Sequence, residues 1–257
     1  MDVLGIGLDL VGLDSAMCTI RSAAAECRPL QVVTVNIDFI RIARCDPTFA
    51  EVLNESGLAV TDGKLLLWLT HFLWAGVPEQ ITGHDLVREC VLAAVERGHG
   101  VLLLGGGPGV AERAAAVLRQ KHATLRVAGM YGGRFDARGW AGDQAALTRA
   151  IREFAPRFLF VGLGCPKQDL WIARHLEEVG GPVAAGVGSV IDVIAGEIPR
   201  APRWMQRGGL ESLFQLLVAP RRYARRYLVD DPPMLGRIIA EITCKRFRML
   251  LRSDASL

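Results

Sequence analysis

Three times along this chain an apolar run ends in glycine and leads straight into a helical pattern. Residues 157–169, RFLFVGLGCPKQD, place Gly162 and Gly164 around the end of the run 158–163. Residues 101–120, VLLLGGGPGVAERAAAVLRQ, place Gly105, Gly106, Gly107 and Gly109 after the run 101–104. Residues 183–187 lead into a turn at Gly186 and Gly188, with Asp192 one helical turn beyond. Short unbroken apolar runs read as strands buried on both faces, and a strand running into a helix is the βα unit of a parallel sheet. Repetition of that unit constrains the fold more than any other feature.

The rest of the chain supplies more units of the same kind. Residues 3–10 form an apolar run, and Asp14 can cap a helix running to Glu26. QVVTVN at 31–36 is a second strand that delivers Thr34 and Asn36 to its carboxyl end, followed by Phe39, Ile40, Ile42 and Ala43 at helical spacing. A short strand at 58–61 ends at Asp62-Gly63, and an apolar helix spans 64–75. Thr82 and Asp85 fit a capping box that starts a helix to Arg97. A strand at 125–130, a loose loop at 131–140 and a helix at 144–154 complete the series, and Pro166 starts a helix whose first turn carries Lys167, Gln168 and Asp169. The expected fold is α/β, a mostly parallel Rossmann-like sheet with helices on both faces over residues 1–195. In such a sheet ligands sit outside the carboxyl ends of the strands. Residues 196–257 change character to a basic, Pro- and Arg-rich helical appendage.

At 257 residues the chain is long enough to bury a full core. Six scattered cysteines form no CxxC pair, so neither a zinc site nor a disulfide framework is indicated and a reducing cytosol is the simplest home. Asp2, Asp9 and Asp14 stand where an export signal would be positive, and the longest apolar stretch, 65–77, is broken by His71 and too short for a membrane span. The net charge of +3 hides an asymmetry: between Arg200 and Arg252 twelve basic residues face four acidic ones. That segment is +8, leaving −5 for the remainder, and points to an anionic partner at one end.

A strand, a glycine turn and a helix mouth gather unpaired N–H groups and the positive end of the helix dipole, which suits a diphosphate. The same pattern suits an ordinary tight connection with Pro at the helix start. The turn at Gly105 lacks the Lys-Ser/Thr of a Walker loop and the third glycine of the dinucleotide fingerprint, and the strand at 125–130 ends without a ribose-binding acid, which disfavours an NAD enzyme. Asp62 can act as general base toward a hydroxyl nucleophile, or serve only the turn before Gly63. The five histidines show no metal spacing and no D-x-D occurs, so no metal and no cofactor is expected. Departing phosphate charge then falls to Arg, Lys and helix N-termini. Leu213, Phe214, Leu216 and Leu217 beside Arg221, Arg222, Arg225 and Arg226, with Tyr223 and Tyr227 interleaved, favour an interfacial helix on an anionic membrane surface. A solvated or homo-oligomer face comes second, nucleic acid last.

Read together, the blocks TVN at 34–36, TDG at 61–63, TG-x-DL at 82–86, LLGGGPGVAE at 103–112, VGLGCPKQD at 161–169, GVGSVID at 186–192 and RAPRWMQRGGLE at 200–211 resemble, in order, the WecG/TagA/CpsF glycosyltransferases. The resemblance implies inverting transfer of an N-acetylmannosamine-type or related sugar from a UDP-sugar to a polyprenyl-diphosphate-linked sugar. It implies a peripheral protein on the cytoplasmic membrane face, acting without metal in cell-surface polysaccharide synthesis. Asp62 then matches the family's proposed base, Thr34 its active-site threonine and Gln168 the nucleotide-pocket glutamine. Asn36 would position donor or acceptor. The glycine turns (Gly105, Gly106, Gly107, Gly109; Gly162, Gly164; Gly186, Gly188), with Lys167 and Asp192, would hold UDP. The appendage would supply arginines to the diphosphate, with Arg203 and Arg207 the first candidates. Three positions depart from the family pattern: Asp169 where Glu is usual, Ile191 where Phe is frequent and Thr61 where Pro is common. The rival expectations are a non-catalytic UDP-sugar-binding or scaffold protein, and a nucleotide-dependent oxidoreductase.

Overall fold

The computed structural model describes residues 1–73, 79–136, 139–208 and 210–254. Six strands form the central sheet, in the spatial order Leu58–Thr61, Leu30–Val35, Val183–Gly186, Phe158–Gly162, Gly100–Gly105 and Arg126–Met130. All five pairings are parallel. Val183 lies opposite both Leu30 and Phe158, and Gly105 opposite Gly162, so the central strands finish nearly level at one edge.

Both faces of this sheet are covered, which explains the unbroken apolar runs. Successive strand residues point to opposite faces. Val101 and Leu103 pack with Val110, Ala114 and Ile191 on one side. Leu102 and Leu104 pack with Leu147, Ile151 and Trp171 on the other. A third cluster gathers Val33, Val35, Phe39, Phe49 and Leu66, and it includes Met234 and Ile238 from the long C-terminal helix Asp231–Asp254. Arg41 also reaches that helix, 2.6 Å from Asp38 and 3.8 Å from Asp231. Each fully buried Ile or Met contributes roughly 1.5–3 kcal/mol, a partly exposed ion pair about 0–1 kcal/mol. Packing therefore holds this end of the appendage to the body, and the ion pair adds orientation.

Several elements follow the expected chemistry closely. Helix Gly83–Arg97 opens on the capping box: Thr82 Oγ1 accepts from the Asp85 N–H and Asp85 Oδ2 from the Thr82 N–H, both at 3.2 Å. Others depart from it. Residues 3–10 form no strand of the sheet but a small hairpin, Asp2–Val3 with Ile6–Gly7. Asp2 and Gly7 face solvent there, which a strand covered on both faces does not allow. The following helix, Leu13–Ala25, starts one residue before Asp14, with Gly12 in the capping position. Its free Leu13 N–H is satisfied from a distant part of the chain, by Glu79 Oε1 at 2.7 Å. The expected loop at 131–140 contains paired strands, Arg134–Asp136 and Gly139–Ala141. Helix Pro47–Glu55, capped by Asp46 with Pro47 first, was not anticipated although its start signal is present. The helix after Gly63 spans Lys64–Leu73, and its expected end at Ala75 lies outside the described residues.

Candidate functional site

At the carboxyl edge of the four strands nearest Leu30–Val35 a polar cleft of about 350 Å³ opens. Thr34, Asn36, Asp62, Gly164, Gln168, Gly186 and Gly188, all expected from the sequence, line it together. They come from four strand ends, which is where a parallel sheet gathers side chains from distant parts of the chain.

Thr34 precedes the last residue of its strand and is buried, and its hydroxyl donates to the Gly186 carbonyl at 3.4 Å. Asn36 follows that strand and caps helix Ile37–Ala43, its Oδ1 accepting from the N–H groups of Asp38 and Phe39 at 3.0 and 3.3 Å. Its carbonyl oxygen is thus engaged in structure as well as facing the cleft. Asp62 follows strand Leu58–Thr61, with its own N–H donating to Val35 O at 2.8 Å. The segment after the apolar helix returns alongside, Ile81 N–H donating to Thr61 O at 3.0 Å, and so brings Gln80 Nε2 to 3.4 Å from Asp62 Oδ1.

Gln168 sits in the first turn of helix Lys167–His175, only 3% exposed. Its Oε1 accepts from the N–H of Gly164 at 3.2 Å and of Gly188 at 3.0 Å, so one side chain ties two glycine turns together. A Cβ on Gly186 would lie 2.5 Å from Gln168 Nε2 and 2.6 Å from Asp169 Oδ1; glycine is required here by close approach. Asp169 is fully buried beneath this arrangement. Burial pushes its carboxyl up to about 7, against the pull of the Gln168 amide.

The remaining expected residues are placed elsewhere. Gly105, Gly106, Gly107 and Gly109 do not line the cleft. Gly105 and Gly106 pack on the neighbouring turn: Gly106 N–H donates to Gly162 O at 3.1 Å, and a Cβ on Gly105 would stand 2.7 Å from that same oxygen. Gly162 is the floor on which they rest. Asp192, in helix Val190–Ile194, adjoins Gly106, and Lys167 opens its helix; neither lines the cleft. Arg203 is exposed on helix Arg203–Gly208. Arg207 belongs to the same helix, and its side chain lies outside the described part.

Five lining or neighbouring side chains had no role assigned from sequence. Gln80 carries no motif. Glu211 and Gln215 come from helix Glu211–Val218 of the appendage and line the cleft; Glu211 only ended a quoted block. Burial raises the Glu211 carboxyl, opposed by Arg200 and Lys64. Arg200 walls an adjoining recess together with His84, which burial, with Arg200 nearby, holds down at about 4.

A second, apolar groove of about 440 Å³ meets the cleft at Asn36, Asp62 and Gly63. Leu65, Trp68, Leu213, Leu216 and Leu235 line it. Trp204, Leu217, Leu228 and Val229 expose more than 60% of their surface on the appendage, in the basic segment. Among the described residues no helix is long and apolar enough to cross a membrane, and no group of three or more His, Cys, Asp or Glu is placed to hold a metal ion.

With this geometry in place, similarity to known proteins is specific. The model of the glycosyl transferase WecG/TagA/CpsF family matches residues 1–248. Two proteins of Staphylococcus aureus, from strains NCTC 8325 / PS 47 and MRSA252, are each 28% identical to this chain over 227 residues, 88% of this chain and 87% of theirs. Both are named N-acetylglucosaminyldiphosphoundecaprenol N-acetyl-beta-D-mannosaminyltransferase.

Proposed function

Because this chain belongs to the glycosyl transferase WecG/TagA/CpsF family, and so is a glycosyltransferase, we propose that it moves an N-acetylmannosamine-type sugar from a UDP-sugar to a polyprenyl-diphosphate-linked sugar, with inversion at the anomeric carbon. The observation that carries this reading is the position of Asp62, where a polar cleft meets an apolar groove. A transferase joining a nucleotide sugar to a lipid-linked sugar needs that junction: one substrate is polar throughout, and the other brings a hydrocarbon tail to the reacting hydroxyl.

In the proposed step the acceptor hydroxyl gives its proton to Asp62, its oxygen bonds to the anomeric carbon, and the bond from that carbon to the diphosphate breaks, releasing UDP. A positioned base of this kind is worth about 10²–10⁴ in rate. Gln80 holds the carboxylate in position. Thr34 and Asn36 orient the sugars, the turns tied by Gln168 seat the nucleotide, and the departing charge is left to the mouth of helix Lys167–His175 and to arginines that the appendage supplies, with Arg200 in the adjoining recess. The staphylococcal relatives are named for a β-linked product, and a β product from an α-linked UDP-sugar requires inversion. The exposed apolar side chains of the basic segment fit a peripheral seat on the inner, anionic leaflet, each Arg or Lys near the surface adding about 1 kcal/mol.

The test is release of UDP from a panel of UDP-sugars in the presence of a short-chain polyprenyl-diphosphate sugar. Asp62→Asn is expected to lower kcat at least 100-fold with an unchanged Tm. Wild-type turnover in that variant removes Asp62 as the base.

A further inference from the structure

Helix Glu211–Val218 of the appendage walls both of the spaces that meet at Asp62. Glu211 and Gln215, four residues apart, share a helix face and line the polar cleft. Leu213 and Leu216, three apart, share another and line the apolar groove, as does Leu210 just before the helix. A ligand with a polar head in the cleft and a hydrocarbon tail in the groove runs along this one helix.

Glu211 is a group on this wall whose chemistry the transfer step leaves unused. It is half-buried and presents surface to the cleft. Among the described residues no hydrogen bond or ion pair engages its carboxyl, and Arg200 and Lys64 act on it only through space. An ionised carboxylate accepts and cannot donate, so its match is a group that donates. Sugar hydroxyls meet that need, whereas a diphosphate brings further negative charge and is repelled. An acceptor sugar offers several hydroxyls, and the proton transfer to Asp62 occupies one.

Resting on the function proposed above, we infer that Glu211 is a specificity-determining residue for the acceptor, its carboxylate accepting a hydrogen bond from a sugar hydroxyl other than the one Asp62 deprotonates. The helix itself favours acceptor over donor. Its Leu213 and Leu216 wall the apolar groove, where a hydrocarbon tail lies, while the turns that seat the nucleotide, at Gly164 and Gly188, belong to other elements. A site that hydrogen-bonds a substrate hydroxyl rejects an analogue lacking it far more sharply than an apolar pocket rejects a missing methylene. Glu211 therefore reads the hydroxyl pattern of the sugar at the head of the lipid.

Calorimetric titration of the full chain with a short-chain polyprenyl-diphosphate N-acetylglucosamine and its 3-, 4- and 6-deoxy forms tests this without requiring turnover. At least one deoxy form is expected to bind wild type at least tenfold more weakly than the parent acceptor. Glu211→Ala is expected to weaken the parent by the same factor and to bind that deoxy form within twofold of it, with UDP-N-acetylmannosamine affinity unchanged. Glu211→Asp, which keeps the charge but withdraws it by one methylene, is expected to show the same loss should Glu211→Ala fail to fold. Where transfer occurs, the form in question still accepts sugar, because the hydroxyl it lacks is not the nucleophile; an inert form overturns the assignment. Deoxy forms that all bind wild type like the parent also overturn it. So does a variant that weakens the parent and every deoxy form alike, which would leave Glu211 serving the helix start or the docking of the appendage. Weaker donor binding with acceptor discrimination intact would move Glu211 to the other substrate. Discrimination that depends on Glu211 in a protein that transfers no sugar leaves the inference standing and defeats the proposed reaction instead.

Discussion

Glycine turns that look alike in sequence serve different ends. The turn at Gly105 to Gly109 is richer in glycine than the pair at Gly164 and Gly188, and by composition the better phosphate cradle. Yet it lies off the cleft, its glycines pressed against the Gly162 carbonyl and Val110. The central pair borders the cleft and is held by Gln168. The difference is sheet position: Val183–Gly186 lies beside the strand that presents Thr34 and Phe158–Gly162 follows it, while Gly100–Gly105 is one strand farther out. Glycine content reports close approach, and only the neighbour decides whether the thing approached is a ligand or another turn.

The sharpest way to break this contrast is to cut the brace. Gln168→Ala leaves the Gly164 and Gly188 N–H groups without their acceptor, and is expected to weaken UDP-sugar binding at least tenfold by calorimetry and to lower stability by about 2 kcal/mol. Loss of stability with unchanged donor affinity would make the central pair structural too. Next in size is Gly105→Ala, which forces a Cβ to 2.7 Å from the Gly162 oxygen at a φ of +113°. It is expected to cost about 1–3 kcal/mol in denaturant unfolding, with donor KM within twofold of wild type. A KM increase matching that of Gln168→Ala would erase the distinction.

The smallest effect concerns the buried carboxyl under the central pair. Asp169 titrates near 7 in the folded chain against 3.8 ordinarily, so between about pH 4 and 7 the folded state holds a proton that the unfolded state has lost. Stability from this group is therefore full at low pH and declines as pH rises through that window. Asp169→Asn abolishes the decline, and its Tm minus that of the parent is expected to rise by several degrees from pH 4 to pH 7. His84, depressed to about 4, slopes the other way but is common to both proteins and cancels in the difference. A difference flat with pH would mean that Asp169 is ionised in the fold throughout.

Much of the fold was legible because its signals are local. VLLL at 101–104 and FLFV at 158–161 announce strands covered on both faces, and Thr82 with Asp85 announces a helix start. Residues 3–10 misled because an apolar run does not say whether a sheet is available on both sides. The capping role of Asn36 was hidden by its place in a motif, Gln80 and Gln215 lay outside any local chemical pattern, and Glu211 only ended a quoted block. Gln80 reaches Asp62 through a return of the chain, and Glu211 comes to line the cleft through docking of the appendage.

By itself the amino-acid sequence determined the parallel α/β layering, the family, and the residues at strand ends that face the crevice, because periodicity, turns and short motifs depend on near neighbours. Tertiary structure alone decided which glycine turn borders the cleft, that one glutamine ties two turns together, and that Asp62 stands between a polar and an apolar space. Those facts depend on strand order and on a C-terminal segment packing back onto the sheet edge, and such contacts between distant residues leave no local trace.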